Sequence, residues 1–137
     1  MKPDARLEGQ RWLAQAENDL AFAALASRER YFAQACFNSQ QAADKALKAF
    51  LYSRGAEQVF GHSVADLAAE CAELEPELSN LRSRAAPLDQ FYVATRYPNS
   101  LPGGIPAQAF ALPEAERALE MAREVMAAVR HRLAPGE

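Results

Sequence analysis

The feature that most restricts this chain is a long stretch without glycine or proline, which runs from Gln10 to Arg54. Those two residue types interrupt helices most strongly, so their absence predicts helical structure throughout the stretch. The charged segment 27–30 is the one natural break. We therefore predict two long helices, over residues 4–26 and 31–54.

Composition supports a helical fold and argues against a sheet. Thirty residues are alanine and fifteen are leucine, whereas valine, isoleucine and threonine together number seven. Branched side chains are the ones that pleated sheets favour, so a sheet protein is excluded in practice. A length of 137 residues suits one core and is too short for two. We predict one all-α domain over residues 1–137.

Charge, apolar runs and cysteines exclude several classes of function. The net charge of −3 lacks the positive field of a general nucleic-acid coat protein. No run approaches a membrane span and the first residues hold no apolar signal core, which favours a soluble, cytoplasmic protein without membrane contact. Cys36 and Cys71 stand alone beside two histidines. We therefore expect no disulfide framework, no metal site and no cofactor.

Capping signals and prolines organise the second half of the chain. Ser63, with Asp66 three residues later, predicts a short helix over residues 63–74. Residues 77–85 can be helical, and Pro87 either opens a continuation or kinks one longer helix. Proline and glycine make residues 96–112 irregular, and such a long loop is often functional. A last helix should run over residues 113–133 with an apolar face of Ala115, Leu119, Ala122, Met126 and Val129.

The helix over residues 31–54 has one polar face and one apolar face. At 100° per residue a polar stripe forms, which consists of Gln34, Asn38, Gln41, Lys45, Lys48 and Tyr52. The opposite arc should be buried and holds Phe32, Cys36, Ala43, Leu47 and Phe50. We expect Lys45 and Lys48 to be exposed. Gln40 lies in the apolar arc, so its amide needs a partner on a neighbouring helix or subunit.

Other polar residues gather near the irregular loop. Asp89, Tyr92 and Arg96 recur at helical spacing and lead into Tyr97. The arginine offers a guanidinium for an anion, and the two tyrosines offer rings for stacking on a base. Asp89 and Arg96 could equally form a structural ion pair. His62 precedes a helix N-terminus, where backbone N–H groups can hold an anion, although such a histidine is often an ordinary surface residue.

Charge is also distributed unevenly along the chain. Residues 57–81 carry six acidic side chains and no lysine or arginine, whereas residues 28–56 carry five basic ones against two acidic ones. This asymmetry has two interpretations: the two segments complement each other within one molecule, or the basic helix holds an anion site.

Three segments together resemble the HEPN domain family. They are residues 37–51 (FNSQQAADKALKAFL), Gly61-His62-Ser63 with Leu67, and residues 92–98 (YVATRYP). The resemblance implies an up-and-down bundle of four main helices plus a short helix, often a homodimer. It also implies nucleotide or RNA binding and a partner nucleotidyltransferase, often in a pair that resembles a toxin–antitoxin system.

Some members of that family are metal-independent ribonucleases, whose site is an arginine and a histidine on the last helix with four to six residues between them. Neither His62 nor His131 has an arginine at that spacing, so we expect no catalytic residues. Two alternatives remain: a ribonuclease with a displaced site, which would use His131 with Arg123 or Arg130 across a dimer, and a plain interaction scaffold.

The preferred interpretation is a non-catalytic binding module. Its phosphate contacts would come from Lys45, Lys48 and Arg96, with stacking by Tyr92 or Tyr97. His62 completes the predicted nucleotide or anion site.

Overall fold

The computed structural model describes residues 4–133, and within them every regular element is helical. The helices are α1 (Ala5–Arg28), α2 (Phe32–Ser53), α3 (Val64–Leu74), α4 (Leu81–Ala85), α5 (Phe91–Ala94), α6 (Pro106–Ala109) and α7 (Leu112–Arg132). The four main helices are α1, α2 and α7, each of 21 residues or more, and the shorter α3, of 11 residues. The predicted all-α bundle of four main helices is confirmed.

A tight turn joins α1 and α2 where the charged break was predicted. Arg30 adopts a left-handed backbone with φ of 68°. This conformation lets the N–H of Tyr31 reach the carbonyl of Ala26 at 2.8 Å and the N–H of Arg30 reach that of Ser27 at 3.0 Å. These bonds satisfy the last carbonyl groups of α1 and reverse the chain. The two helices therefore pack as an antiparallel pair.

Small residues alone form the fully buried face of α1, which we call the small-residue stripe. Its members are Ala5, Gly9, Ala16, Ala23 and Ala26. Packing is tightest at Gly9, where an added Cβ would lie 2.7 Å from Cβ of Ser53 and 2.9 Å from the carbonyl oxygen of Ala49. Both contacts belong to the end of α2, so the stripe lets two helix backbones approach closely.

Larger side chains fill the core between α2, α3 and α7. The biggest fully buried ones include Phe50, Leu47, Leu67, Leu88 and Met126. The predicted apolar face of the last helix is confirmed, because all five of its members are buried. Phe32 departs from the prediction, since it lies at the first turn of α2 and is only partly buried.

Pro87 is explained by a short 3-10 helix over Ala86–Gln90, which separates α4 from α5. The proline lies in the first turn of that segment, where its missing N–H costs no hydrogen bond. The following segment, predicted to be irregular, holds a 3-10 turn at Pro98–Ser100 and the short helix α6. The prediction of no regular structure there was therefore too strong.

Two ends of helices follow their sequence signals. Gly55, with φ of 100°, ends α2, and the N–H of Ala56 returns to the carbonyl of Leu51 at 3.1 Å. Ser63 caps α3, because its Oγ accepts from the N–H of Asp66 at 3.1 Å.

The basic and acidic segments contact each other at Arg54, just after α2, and Glu75, just after α3, whose side chains form an ion pair at 2.7 Å. This pair agrees with charge complementarity within one molecule. Among the residues that the structure describes, no helix is both long and apolar enough to cross a membrane.

Candidate functional site

A network of polar side chains lies where α2 meets the segment before α3 and the segment before α5. We call it the polar cluster, and its members are Gln40, Asp44, Lys48, His62 and Asp89. At its centre Lys48 Nζ lies 2.8 Å from Asp44 Oδ1, and the two residues are 5% and 2% exposed. A buried ion pair of this kind requires close geometry and further hydrogen bonds to offset desolvation.

His62 supplies one of those further contacts. Its Nδ1 lies 3.1 Å from Asp44 Oδ2 and 3.4 Å from Lys48 Nζ. The imidazole stacks on the Tyr92 ring, with centroids 5.4 Å apart and planes 19° apart. Nδ1 lies against the buried ion pair, and the side chain as a whole is 53% exposed to solvent.

Asp89 caps α3 from a distant part of the chain. Its carboxylate accepts from the N–H of Val64 at 2.7 Å, the N–H of Ala65 at 3.0 Å and Ser63 Oγ at 3.1 Å. The helix N-terminus that was predicted as an anion site beside His62 is thus occupied by an internal carboxylate. Asp89 forms no ion pair with Arg96 among the described residues, so the structural pair considered from sequence does not form.

Gln40 connects α2 to both neighbouring segments, as its position in the apolar arc required. Its Nε2 donates to the carbonyl of His62 at 2.7 Å and to Asp89 Oδ1 at 3.2 Å. Its Oε1 accepts from Gln41 at 2.9 Å. The predicted partner is therefore confirmed within the chain, and the buried amide is satisfied without a second subunit.

Arg96 lies on the solvent side of the cluster among three aromatic rings. Its guanidinium carbon is 4.5 Å from the centroid of Phe37, 4.6 Å from that of Tyr92 and 5.2 Å from that of Tyr97. Its Nε donates to the carbonyl of Tyr92 at 2.8 Å. No described carboxylate pairs with this exposed guanidinium, so its remaining N–H donors can bind an anion.

The two lysines of α2 do not share one exposed surface. Lys48, which was predicted to be exposed, is buried because Asp44 pairs with it at the flank of the helix. Lys45 turns toward α1, where its Nζ lies 2.7 Å from Asp19 Oδ2 and its side chain is 27% exposed. The predicted polar stripe therefore divides between two neighbours, and Lys45 lies outside the polar cluster.

Of the six predicted site residues, the structure brings five into one connected set. They are Lys48, His62, Tyr92, Arg96 and Tyr97. Sequence reasoning missed Asp44 and Phe37 as participants. Asp44 stands four residues after Gln40 and four before Lys48, so a polar ladder at i, i+4 spacing was the available signal.

Within a single chain the described residues do not bring His131 and Arg130 together, and the alternative ribonuclease site across a dimer stays a prediction. Arg130 Nε pairs with Glu17 Oε2 at 2.7 Å, which turns it toward α1. His131 is exposed and no described hydrogen bond joins it to an arginine.

Both cysteines are buried free thiols. Burial raises the pKa of Cys36 to about 12, with a smaller contribution from Glu114. Burial likewise raises the pKa of Cys71 to about 12, and Glu70 adds to that increase while Arg54 opposes it. Within the described part of the chain, no group of three or more histidine, cysteine or acidic residues is placed to hold a metal ion.

Comparison with known proteins gives a consistent result. The HEPN domain model matches residues 10–132. The crystal structure of TT1696 from Thermus thermophilus is similar with a TM-score of 0.85 and 37% identity, over 91% of this chain and 98% of that chain. The crystal structure of ST0689, an archaeal HEPN homologue, is similar with a TM-score of 0.76 and 30% identity, over 98% of this chain and 100% of that chain. The comparison with curated proteins yields no significant match.

Proposed function

Because this chain belongs to the HEPN domain family, we propose that it is a helical module that binds a nucleotide or RNA at the polar cluster and Arg96. The observation that carries the proposal is the placement of Arg96, a guanidinium without a described carboxylate partner among three aromatic rings. Guanidinium groups bind phosphates through paired N–H donors, and aromatic rings stack on bases.

The surroundings of Arg96 preorganise its side chain for binding. Contact with Phe37 and Tyr92, together with the hydrogen bond to the Tyr92 carbonyl, restricts the side chain before a ligand arrives. Less rotamer entropy is then lost on binding. Tyr97 is half exposed and lies beside the guanidinium, so its ring is available for stacking on a base.

Titration of ATP and a short RNA tests the proposal. Arg96→Ala should weaken binding about tenfold or more, because charge-assisted hydrogen bonds contribute roughly 1.5–3 kcal/mol. Lys45→Ala is the matched control, since it removes a positive charge that is paired with Asp19 outside the cluster. Affinity should also fall with added salt. Equal affinities for the native protein, Arg96→Ala and Lys45→Ala would refute the site.

A protein partner is a second candidate ligand for the same face. Phe60 is 75% exposed just before the segment of His62, and the half-exposed Val93 and Tyr97 flank Arg96 along the chain. Exposed apolar side chains that lie among polar groups are typical of protein interaction surfaces. The partner nucleotidyltransferase, in a pair that resembles a toxin–antitoxin system, and a second copy of this chain are the two occupants that we propose.

Two measurements examine those occupants. Co-expression with a neighbouring gene for a nucleotidyltransferase should give a complex that Phe60→Ser weakens and Phe22→Ser does not, because Phe22 is a comparably exposed aromatic residue on α1. Sedimentation should show a homodimer of the 15.0 kDa chain. A monomer at micromolar concentration, together with no complex in co-expression, would reject both protein partners as ligands of this face.

A further inference from the structure

The two groups that face Nδ1 of His62 place opposite demands on that atom. Asp44 Oδ2, at 3.1 Å, can only accept a hydrogen bond, whereas the ammonium of Lys48, at 3.4 Å, can only donate one. Nδ1 carries either a proton or a lone pair, so it satisfies one of these neighbours at a time.

Distance and pairing decide between the two neighbours. The carboxylate is nearer to Nδ1, and the Lys48 ammonium is already ion-paired with Asp44 Oδ1 at 2.8 Å, although this contact lacks hydrogen-bond geometry. A lone pair on Nδ1 would instead face Asp44 Oδ2, where two acceptors would repel each other in a buried environment. The arrangement therefore favours a proton on Nδ1 that is donated to Asp44.

That choice fixes what the histidine offers to a ligand. In the neutral imidazole a proton on Nδ1 leaves the lone pair on Nε2. The ring stacks on Tyr92, so ligands reach His62 mainly through its exposed half. Gln40 also holds the carbonyl of His62, which limits movement of the backbone that carries the ring.

We infer that the buried Asp44–Lys48 pair holds neutral His62 as the Nδ1–H tautomer, so that Nε2 selects ligands with a hydrogen-bond donor near a phosphate. The ligand half of this inference rests on the proposed function, with the phosphate at Arg96. In a nucleotide the donor is a ribose hydroxyl or an amino group of the base. Asp44 and Lys48 are positioning residues, and His62 is the residue that determines specificity.

Nitrogen-15 NMR of the free protein tests the tautomer without any ligand. The chain has two histidines, so a His131→Gln variant assigns the His62 signals. At about pH 8, where imidazoles are ordinarily neutral, the native protein should show the Nδ1–H form. Asp44→Asn should shift the population toward the Nε2–H form, because a neutral amide holds the proton less strongly. An Nε2–H form in the native protein would overturn the inference.

Nucleotide binding tests the selection. His62→Phe keeps a ring against Tyr92 and removes Nε2, and it should weaken AMP binding roughly tenfold. Dideoxy-AMP lacks both ribose hydroxyls, and IMP lacks the amino group of the base. If His62 selects one of these donors, the nucleotide without that donor should bind the native protein and His62→Phe with the same affinity. If His62→Phe weakens the binding of all three nucleotides equally, or of none, the selective role is wrong.

The two proposals fail in distinguishable ways. If Arg96→Ala leaves AMP binding unchanged, the proposed phosphate site fails, and so does the ligand half of the inference, while the NMR result still decides the tautomer. If Arg96→Ala weakens binding and His62→Phe does not, the binding function stands and the role of His62 alone is rejected.

Discussion

The small-residue stripe of α1 and the polar cluster solve opposite packing problems within one bundle. The stripe buries glycine and alanine alone, so it carries no polar side chain that needs a partner. In the polar cluster a lysine, an aspartate and a glutamine are buried, and their partners come from α2 itself and from the segments before α3 and α5. Close approach stabilises the first region, whereas ion pairing and hydrogen bonding stabilise the second.

The difference shows where each region is vulnerable. The stripe fails when an atom is added, because the backbones of α1 and α2 are already in contact at Gly9. The cluster fails when an atom is removed, because each deletion leaves a buried polar group without its partner. Three measurements test this contrast, starting with the largest expected effect, and a fourth concerns the buried thiols of the apolar core.

Asp44→Ala should cause the greatest loss of stability, about 3 kcal/mol or more in urea denaturation. It leaves the ammonium of Lys48 buried without its counter-ion, and removing one partner of a buried pair is strongly destabilising. The double variant Asp44→Leu with Lys48→Met is the control, since it removes both charges and retains side-chain volume. It should be more stable than Asp44→Ala, and a double variant that is less stable would contradict the buried pair.

Asp89→Ala should cost about 2 kcal/mol, because three donors at the start of α3 lose their acceptor. Asp66→Ala is a matched change on the same helix: the side chain is exposed and its removal should cost well under 1 kcal/mol. Urea midpoints measure both variants. If the two losses are equal, then removal of negative charge near the helix, and not loss of the cap, explains the effect.

Gly9→Ala should destabilise the protein by roughly 1–2 kcal/mol, although alanine is intrinsically the better helix former. The added Cβ would meet the carbonyl oxygen of Ala49 at 2.9 Å, and that backbone group cannot rotate away. Gly103→Ala serves as the control, because nothing lies within 4 Å of its position. A Gly9→Ala protein with a higher melting temperature would show that α1 and α2 can separate without cost.

The buried thiols should have the smallest effect at neutral pH and a visible one only in alkali. The pKa of each cysteine is raised from 9.0 to about 12. The unfolded chain therefore releases these protons first, so their contribution to stability is complete below about pH 9 and is lost progressively toward pH 12. Between about pH 8 and pH 10.5, the native protein should lose more stability than a variant with Cys36→Ala and Cys71→Ala. Equal losses of stability in the native protein and the double variant would contradict the burial of the two thiols.

Much of the fold could be predicted from local patterns. The absence of glycine and proline located α1 and α2, and Gly55, Ser63 and the apolar face of α7 behaved as their positions indicated. Gln40 was predicted to need a partner because a polar side chain in an apolar arc must be hydrogen-bonded. Each of these inferences depends on residues within a few turns of one helix.

The site was less predictable, because its partners are distant along the chain. The helical wheel placed Lys48 on the exposed stripe, whereas Asp44 and His62 draw it into the interior. The same wheel could not show that Lys45 would turn toward Asp19 of α1. An ion pair of Asp89 with Arg96, seven residues later, was one of two alternatives, whereas the Asp89 carboxylate caps a helix that begins 25 residues earlier.

The sequence by itself determined that this chain is helical, where its long helices lie and which family it belongs to, because periodicity, capping residues and short motifs are local properties. Tertiary structure alone decided which charges are buried. A lysine or an aspartate is buried at low cost only when oppositely charged or hydrogen-bonding groups offset its desolvation, and which side of a helix the rest of the chain covers is set by tertiary packing. Asp44 and Lys48 lie one turn apart on α2, and only the packing of α2 against the segments before α3 and α5 brings His62 to them and buries the pair.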